Sequence, residues 1–252
     1  MLGLEGARTV RDEFVRWRNI TKLDPDREIP AEKLDFVCSS GTDALILGGT
    51  QGVTRVKVAG LMKRLHGCGL PVLIEVSTPE ALLPGPYGYL VPLVLNSPDV
   101  HWIVGAHQVA LKRFGGSFDW NQVLAEGYVI LNGDSAVARL TRAATSLGPD
   151  DVAAYARYAQ RLLGLPILYL EYSGTYGDPH LVRAAREALE NSASSGGTVR
   201  GGSRLFYGGG IDSAEKAAEM GALADTIVVG NLIYGDRWRA LRETVSAVKN
   251  PR

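Results

Sequence analysis

Eight short apolar runs recur along the chain, and each reaches a Gly, Pro, Asp, Asn or Ser at its C-terminal end. The runs are Ile20 to Asp24, Ala44 to Gly49, Pro71 to Val76, Tyr89 to Leu95, Gly127 to Asn132, Ile167 to Tyr172, Arg204 to Gly208 and Thr226 to Val229. Short apolar runs that end in turn residues are typical of buried β-strands. We therefore predict eight strands.

Most of the intervening segments carry apolar residues at three- and four-residue spacing, as helices with one buried face do. They are Ala31 to Ser39, Val53 to His66, Val100 to Phe114, Pro149 to Leu163, Pro179 to Glu190, Ser213 to Met220 and Arg237 to Val248. This alternation favours a parallel sheet covered by helices. Eight strands in 252 residues fit a closed (β/α)8 TIM barrel better than an open doubly wound sheet. We expect residues 1–252 to form one α/β domain.

The connection between the third and fourth strands departs from this pattern. Ser77 to Gly88 contains Pro79, Pro84 and Pro86, and a proline inside a helix costs about 3 kcal/mol. An extended crossing should therefore replace the third helix and leave a gap in the helical layer. Either a long apolar molecule lies in that gap or the loop packs there itself, and the sequence leaves both open.

A second irregular segment is Asn191 to Gly202, which is rich in Gly and Ser and has almost nothing to bury. Such a composition predicts a mobile insertion. Because the segment leads from a helix into a strand, barrel geometry puts it on the N-terminal face, opposite the rim where barrel enzymes carry their chemistry. We therefore expect it to have no catalytic role.

Composition excludes several classes of protein. Lys plus Arg equals Asp plus Glu, 27 each, and no basic run breaks the neutrality, so nucleic acid is not an expected partner. The N-terminus is too charged for a secretion signal, and no apolar run approaches the roughly 18 to 20 residues of a spanning helix. Cys38 and Cys68 show no metal spacing, and one possible disulfide in a chain of this size indicates a reducing compartment. We expect a cytoplasmic protein.

The sixth strand carries the first candidate for chemistry, in the stretch Ile167 to Gly174. On a strand, alternate side chains share a face, so Tyr169, Glu171 and Ser173 point one way while Leu168, Leu170 and Tyr172 point the other. Glu171 is thus a carboxylate at a strand end, where barrel chemistry gathers. The alternative is that Glu171 pairs with a basic neighbour inside the barrel.

Strands seven and eight end in glycine, in LFYGGGI and TIVVGN, and each precedes a helix-like segment. Backbone N–H groups at such ends bind anions, and phosphate is the usual guest. Gly210, Gly230 and Asn231 are therefore candidate phosphate ligands, since strands seven and eight form the usual phosphate site of barrel enzymes. Asp212 to Glu215 has the form of a capping box, which predicts a helix start there.

A second group of polar residues follows the first two strands. Lys22 and Asp24 share a face of the first strand, and Thr50 follows Gly48 and Gly49 at the end of the second. Lys22 could meet phosphate oxygens while Asp24 and Thr50 hold Mg²⁺, which needs only one or two protein oxygens beside a substrate phosphate. The alternative is a Lys22–Asp24 salt bridge. The four histidines show no metal-binding spacing.

These motifs together resemble the prenylglyceryl phosphate synthases, which include bacterial heptaprenylglyceryl and archaeal geranylgeranylglyceryl phosphate synthases. The resemblance is carried by KLDPD at Lys22, SGTDALILGGTQGVT from Ser40, LNSPDVHWIVGAHQ from Leu95, YLEYSG at Tyr169, FYGGGI at Phe206 and ADTIVVGN at Ala224, and it covers about Asp12 to Lys249. It implies a (β/α)8 barrel without the third helix, commonly dimeric. The implied reaction joins sn-glycerol 1-phosphate to a polyprenyl diphosphate through an ether bond, with magnesium.

The resemblance also assigns residues to substrates. Lys22, Gly210, Gly230 and Asn231 would hold glycerol phosphate together with Tyr169, Leu170, Glu171, Tyr172, Ser173 and Gly174, and Asp24 and Thr50 would hold magnesium. Ionised Glu171 would accept the proton of the attacking glycerol hydroxyl or orient that hydroxyl, and the sequence does not decide between them. Two other classes stay open. They are another phosphate-handling barrel enzyme, such as a sugar-phosphate isomerase or aldolase, and a non-catalytic phosphate-binding barrel.

The predicted helix from Val100 offers a hypothesis on chain length. Ala106 and Ala110 are four residues apart and so share one helix face, which we expect to line the prenyl groove. The family that the chain resembles has two groups of members. Archaeal members use a geranylgeranyl tail, and some of them have a tryptophan near this position, whereas bacterial members accept a heptaprenyl tail. Ala110 favours the longer donor, unless these alanines only permit close helix packing. A transient membrane-surface contact for the lipid product is a further expectation.

Overall fold

The computed structural model describes residues 9–193 and 202–250. Eight parallel strands close into a barrel in which each strand pairs with the next along the chain and β8 pairs with β1. The strands are β1 (Asn19–Leu23), β2 (Ala44–Leu47), β3 (Val72–Glu75), β4 (Gly88–Val94), β5 (Val123–Ile130), β6 (Ile167–Glu171), β7 (Arg204–Gly208) and β8 (Thr226–Val229). The predicted (β/α)8 barrel is confirmed.

Helices surround this barrel. They are α1 (Val10–Glu13), α2 (Ala31–Cys38), α3 (Arg55–Arg64), α4 (Gly105–Phe114), α5 (Ala136–Thr141), α6 (Pro149–Arg157), α7 (Pro179–Ala193), α8 (Ala214–Leu223) and α9 (Leu241–Lys249). A π-helical turn over Tyr158–Leu162 extends α6, and short 3₁₀ turns join several of the other elements.

Alternation along the strands divides the apolar side chains into two layers. Ile20, Tyr169 and Phe206 belong to a cluster inside the barrel. Leu168 and Leu170 belong to the larger cluster between strands and helices. The predicted division of the sixth strand into two faces is therefore confirmed, and its glutamate shares the parity of the inward-facing residues.

No helix lies between β3 and β4, two strands that the structure describes throughout along with their connection. The connecting segment runs as turns and extended chain, in agreement with its prolines. Ala81 and Leu82 within it are buried, and Tyr89 Oη donates to the carbonyl oxygens of Leu83 (2.9 Å) and Gly85 (3.0 Å). The segment thus packs partly against the barrel itself, but it leaves part of the outer wall of β4 and β5 uncovered.

Many element boundaries differ from the predicted ones by a few residues, and three of these differences affect the reading of a motif or a helix. The expected helix Val100 to Phe114 is a 3₁₀ turn over Val100–Trp102 followed by α4 from Gly105. Strand β5 begins at Val123, whereas the predicted run started at Gly127 because Glu126 interrupts the apolar pattern. Helix α8 begins at Ala214 with Ser213 as N-cap, so the cap lies one residue later than expected.

The predicted insertion overlaps a helix at its start, because α7 continues through Asn191 to Ala193. Residues 194–201 lie outside the described residues, so its mobility stays a prediction. Cys38 and Cys68 form a disulfide, and the cellular compartment also stays a prediction. In the described ranges, none of the helices has both the length and the apolar character needed to cross a membrane.

Candidate active site

A polar cavity of about 590 Å³ opens at the C-terminal ends of β6, β7, β8 and β1. These strand ends converge because all eight strands are parallel. The lining includes Lys22, Asp24, Arg27, Thr50, Tyr169, Glu171, Ser173, Gly174, Gly210, Gly230, Asn231 and Arg237. Most of the residues that the sequence predicted as site residues therefore meet in one cavity. Arg27 and Arg237 are additional cations that the motifs did not indicate.

Glu171 is only 2% exposed, and both of its carboxylate oxygens accept hydrogen bonds. Tyr128 Oη donates to Oε2 at 2.5 Å. The Ser173 N–H donates to Oε1 at 2.6 Å, and the Ser173 hydroxyl donates to the same oxygen. Among the described residues Glu171 has no salt-bridge partner, so the alternative of a simple pair with a base does not describe this carboxylate. The donors fix its orientation toward the cavity.

The two tyrosines beside this carboxylate are held in their neutral form. Burial and the charge of Glu171 raise the pKa of both Tyr128 and Tyr169 well above the ordinary value. Their rings pack edge to face, with centroids 4.8 Å apart. A neutral phenol donates a hydrogen bond. Tyr128 therefore orients Glu171 as a donor and does not compete with Glu171 as a base. The motifs did not reveal Tyr128, although its inward parity on β5 would have.

Lys22 pairs with Glu75 at the end of β3, at 2.7 Å and 2.9 Å from the two carboxylate oxygens. The expected alternative, a salt bridge to Asp24, is not formed. Burial alone would lower the pKa of Lys22. The nearby carboxylates of Glu75 and Glu171 outweigh the effect of burial, and the pKa is raised. Lys22 is thus a fixed cation. Sequence reasoning missed Glu75, which the rule of polar residues at strand ends would have found.

Asp24, Gly49 and Thr50 line the same cavity. A Cβ at Gly49 would lie 2.5 Å from Asp24 Oδ1, so only glycine allows the carboxylate this close to the β2 loop. Burial raises the pKa of the Asp24 carboxyl, and the backbone N–H of Asp26 opposes the shift by donating to Oδ1 at 2.9 Å. A half-buried carboxylate beside a hydroxyl is a donor set of the hard oxygen type that suits Mg²⁺.

In the part of the chain that the structure describes, no group of three or more His, Cys, Asp or Glu side chains is placed to hold a metal ion.

The glycine-rich ends of β7 and β8 differ in how strictly they need glycine. Gly210 has φ of +58°, and a Cβ there would lie 2.3 Å from the backbone nitrogen of Tyr176. A Cβ at Gly230 would instead find ordinary contacts, the nearest at 3.7 Å to the Lys22 carbonyl oxygen. Asn231 is exposed, and its Oδ1 accepts from Arg27 Nη1 at 3.2 Å. The backbone of β7 therefore shapes this end of the cavity more than that of β8.

An apolar groove of about 330 Å³ lies beside the polar cavity, where the third helix is missing. Its wall is formed by side chains that point outward from two strands, namely Tyr89, Val91, Leu93, Val123 and Ala125. Helix α4 closes the other side and contributes Ala106 and Ala110, together with His107 and Leu111. Burial lowers the pKa of His107, whose Nε2 lies 2.9 Å from the Pro92 carbonyl oxygen.

The groove and the cavity share residues where they meet. Lys22, Gly49, Thr50 and Ser173 line both. The fixed ammonium of Lys22 therefore lies at the junction of a polar and an apolar compartment. Such a junction suits a molecule, or a pair of molecules, with one phosphorylated end and one long apolar end.

Two predicted residues do not contribute side chains to the cavity. Leu170 and Tyr172 belong to the outer cluster between strands and helices. The backbone N–H of Tyr172 donates to the Gly208 carbonyl at 2.7 Å and so joins the ends of β6 and β7. The period of the strand explains both orientations.

A closed (β/α)8 barrel with a glycine-rich polar cavity at its C-terminal rim is typical of phosphate-handling barrel proteins. Within that class, the sequence profile of the PcrB family matches residues 12–249. The chain belongs to this family.

Relatives and solved structures agree with the family. The heptaprenylglyceryl phosphate synthase of Geobacillus thermodenitrificans is 48% identical over 238 residues, which cover 94% of this chain and 95% of the relative. The enzyme of the same name from Bacillus cereus is 48% identical over 233 residues, 92% of this chain and 96% of the relative. The fold is similar to the (S)-3-O-geranylgeranylglyceryl phosphate synthase of Thermoplasma acidophilum, solved with sn-glycerol-1-phosphate. That likeness has a TM-score of 0.81 at 21% identity and covers 96% of this chain and 99% of the other.

Proposed function

We propose that this protein joins sn-glycerol 1-phosphate to a long polyprenyl diphosphate, with heptaprenyl diphosphate as the donor. The protein is an enzyme of the prenyltransferase class, as its relatives at 48% identity over nearly the whole chain support. The observation that carries the substrate proposal is the junction at Lys22, Thr50 and Ser173, where a polar cavity and an apolar groove open into one another. A phosphorylated acceptor fits the first compartment, and a prenyl tail fits the second.

The reaction we propose breaks the bond between the allylic carbon and the diphosphate and forms an ether bond to the glycerol hydroxyl oxygen. The hydroxyl proton passes to Glu171, and diphosphate leaves. Glu171 suits this role because both its oxygens are fixed by donors and its side chain lines the polar cavity. A positioned carboxylate that takes a proton in the transition state typically contributes 10² to 10⁴-fold to the rate.

The phosphate of the acceptor would lie at the glycine-rich end of the cavity. Backbone N–H groups near Gly210 and Gly230, with Arg27 and Arg237 at the rim, offer donors and positive charge. Lys22, fixed by Glu75, adds a cation at the junction and would face both the acceptor and the donor diphosphate.

Asp24 and Thr50 would hold a magnesium ion. Their oxygens are hard ligands, and Gly49 leaves room for the carboxylate. Magnesium is commonly held by one or two protein oxygens together with substrate phosphates and water. When bound, the ion supplies positive charge that stabilises the departing diphosphate.

Two alanines on α4 bear on the length of the donor. Ala106 and Ala110 have small side chains, so they leave the α4 side of the groove open. An open groove favours the longer tail. The homodimer and the transient membrane contact that the resemblance implies stay predictions.

The test is an assay with purified protein, sn-glycerol 1-phosphate, magnesium and either heptaprenyl or geranylgeranyl diphosphate. We expect diphosphate release and an ether lipid phosphate by mass spectrometry, with the heptaprenyl donor preferred. Preference for geranylgeranyl diphosphate would correct the donor only. No product from either donor would overturn the function and return attention to isomerase or aldolase chemistry on the same phosphate site.

A further inference from the structure

Glu126 is a buried acid that the proposed reaction does not use. It lies on β5 with the inward parity of Leu124, Tyr128 and Ile130 and is 0% exposed. Neither of its carboxylate oxygens has a hydrogen-bond partner among residues 9–193 and 202–250. An ionised carboxylate in such a place costs far more free energy than a neutral acid does. The position therefore calls for an explanation.

The charges that act on Glu126 come from three other strands. Glu75 on β3 acts most strongly, Lys22 on β1 acts in the opposite sense, and Glu171 on β6 adds a second negative charge. Three carboxyl groups thus share one ammonium, and Glu75 holds that ammonium at 2.7 Å and 2.9 Å. The geometry leaves Glu126 without a cation of its own.

Other neighbours of Glu126 do not supply charge. Its register partners on the flanking strands are Pro92 and Ile167. The phenols that face the barrel interior nearby, Tyr128 and Tyr169, are held neutral. Burial, and after it the charge of Glu75, raise the pKa of Glu126 well above the ordinary value, and Lys22 reverses only part of this effect.

We propose that Glu126 is a positioning residue that works as an uncharged acid, so that Glu75 alone pairs with Lys22 and holds the ammonium at the junction of the two cavities. The inference rests on the proposed function, because Lys22 is the cation that would face both substrates. A protonated Glu126 leaves one ammonium and two carboxylates in the cluster, a net charge of −1. Loss of its proton makes the net charge of this cluster −2, and the cluster contains Lys22, the cation that would face two anionic substrates.

Alkaline pH should therefore impair the enzyme through Glu126. Above the pKa of this acid, kcat/KM of the parent should fall by about tenfold per pH unit, as for a single ionisation. Glu126→Gln cannot ionise, so its alkaline limb should move to higher pH, with a loss of less than about tenfold at neutral pH. Glu126→Leu is a second variant that cannot ionise, and it keeps the test valid if the amide disturbs folding.

A thermal measurement tests the protonation state without relying on activity. A folded-state pKa above the unfolded value means that the folded protein binds more protons, so stability falls as pH rises from the ordinary glutamate pKa to the raised one. The melting temperature of Glu126→Gln minus that of the parent should therefore rise across that window and then level off. Glu187→Gln, on the exposed face of α7, is the matched control and should give a flat difference.

The outcomes separate the inference from the function. A rising difference in melting temperature together with a shifted alkaline limb supports the proposal. A flat difference, or an unshifted limb in both Glu126 variants, overturns it. If the parent forms no prenyl product, the proposed function fails, and the affinity for sn-glycerol 1-phosphate measured against pH replaces kcat/KM in the same comparison.

Discussion

The polar cavity and the apolar groove share a border at Lys22 but are built in opposite ways. The cavity is made of strand ends, with a carboxylate fixed by Tyr128 and the Ser173 N–H and a backbone that requires glycine at position 210. The groove is made by the lack of a helix, which exposes outward-facing side chains such as Val91 and Leu93. One compartment depends on single atoms, and the other depends on the space that a missing element leaves.

This difference predicts how the two regions respond to substitution. A change of one atom in the cavity should alter the chemical step or the affinity for phosphate. A change of one side chain in the groove should alter which donor fits, because apolar contacts are non-directional and depend on area and volume. Four experiments test this contrast, and we take them in order of expected effect.

Glu171→Gln should have the largest effect. The amide keeps the shape and one oxygen for the Ser173 donors, but it cannot take the hydroxyl proton and presents an NH₂ group to Tyr128. We expect kcat to fall by about 10² to 10⁴-fold while the affinity for sn-glycerol 1-phosphate changes little. Steady-state kinetics and calorimetric titration measure the two quantities. Near-normal turnover would remove Glu171 from the proton transfer.

Asp24→Asn should come next, because it removes the charged ligand proposed for magnesium. We expect the magnesium concentration for half-maximal activity to rise by at least about 10- to 100-fold, the range that loss of an outer-shell partner of a metal ligand typically costs, with the melting temperature close to that of the parent. Thr50→Val, which removes a neutral ligand, should shift the same quantity less. A titration of activity against magnesium measures both variants, and an unchanged half-saturation in both would rule out this pair as the metal site.

The cavity could be predicted from the sequence more completely than the groove, for a physical reason. Strand ends and glycine turns are local, so Glu171, Gly210 and Asp24 were predicted from short stretches of chain and do meet in one cavity. Glu75 on β3 and Tyr128 on β5 were missed because their roles depend on which side chains meet Lys22 and Glu171 once the barrel closes. That information lies in the closure of the barrel rather than in any motif.

Prediction of the groove from the sequence was limited in the same way. Pro79, Pro84 and Pro86 predicted the missing helix, since proline acts on its own backbone. The walls of the groove could not be predicted residue by residue, because Val91 and Ala125 look like any other buried strand positions. Glu126 was missed because it interrupts an apolar run, and the predicted start of its strand fell one residue after it.

Gly210→Ala should have the third-largest effect, a weaker binding of sn-glycerol 1-phosphate. Its φ of +58° and the 2.3 Å approach of a Cβ to the Tyr176 nitrogen force the loop to shift. A strained backbone position of this kind costs about 1 to 3 kcal/mol, or about 10- to 100-fold in affinity. Gly230→Ala is the matched control, and its loss should be much smaller because its Cβ meets only ordinary contacts. Equal losses in the two variants would mean that β7 does not shape the phosphate site.

Ala110→Trp should have the smallest and most selective effect, because it fills space in the groove and leaves the cavity intact. The indole would project from α4 into the groove, where Ala110 now leaves room, and misfitting bulk typically costs about 1 to 3 kcal/mol. We expect kcat/KM for heptaprenyl diphosphate to fall by about tenfold or more, while geranylgeranyl diphosphate is affected less because its tail is shorter.

Val109→Trp is the matched control, since Val109 lies on the same helix, is exposed and does not line the groove. Product formation from both donors, measured side by side with melting temperatures, decides the outcome. No loss on either donor would show that the tail does not reach Ala110, and equal losses on both donors with a normal melting temperature would show that Ala110 does not select the tail length.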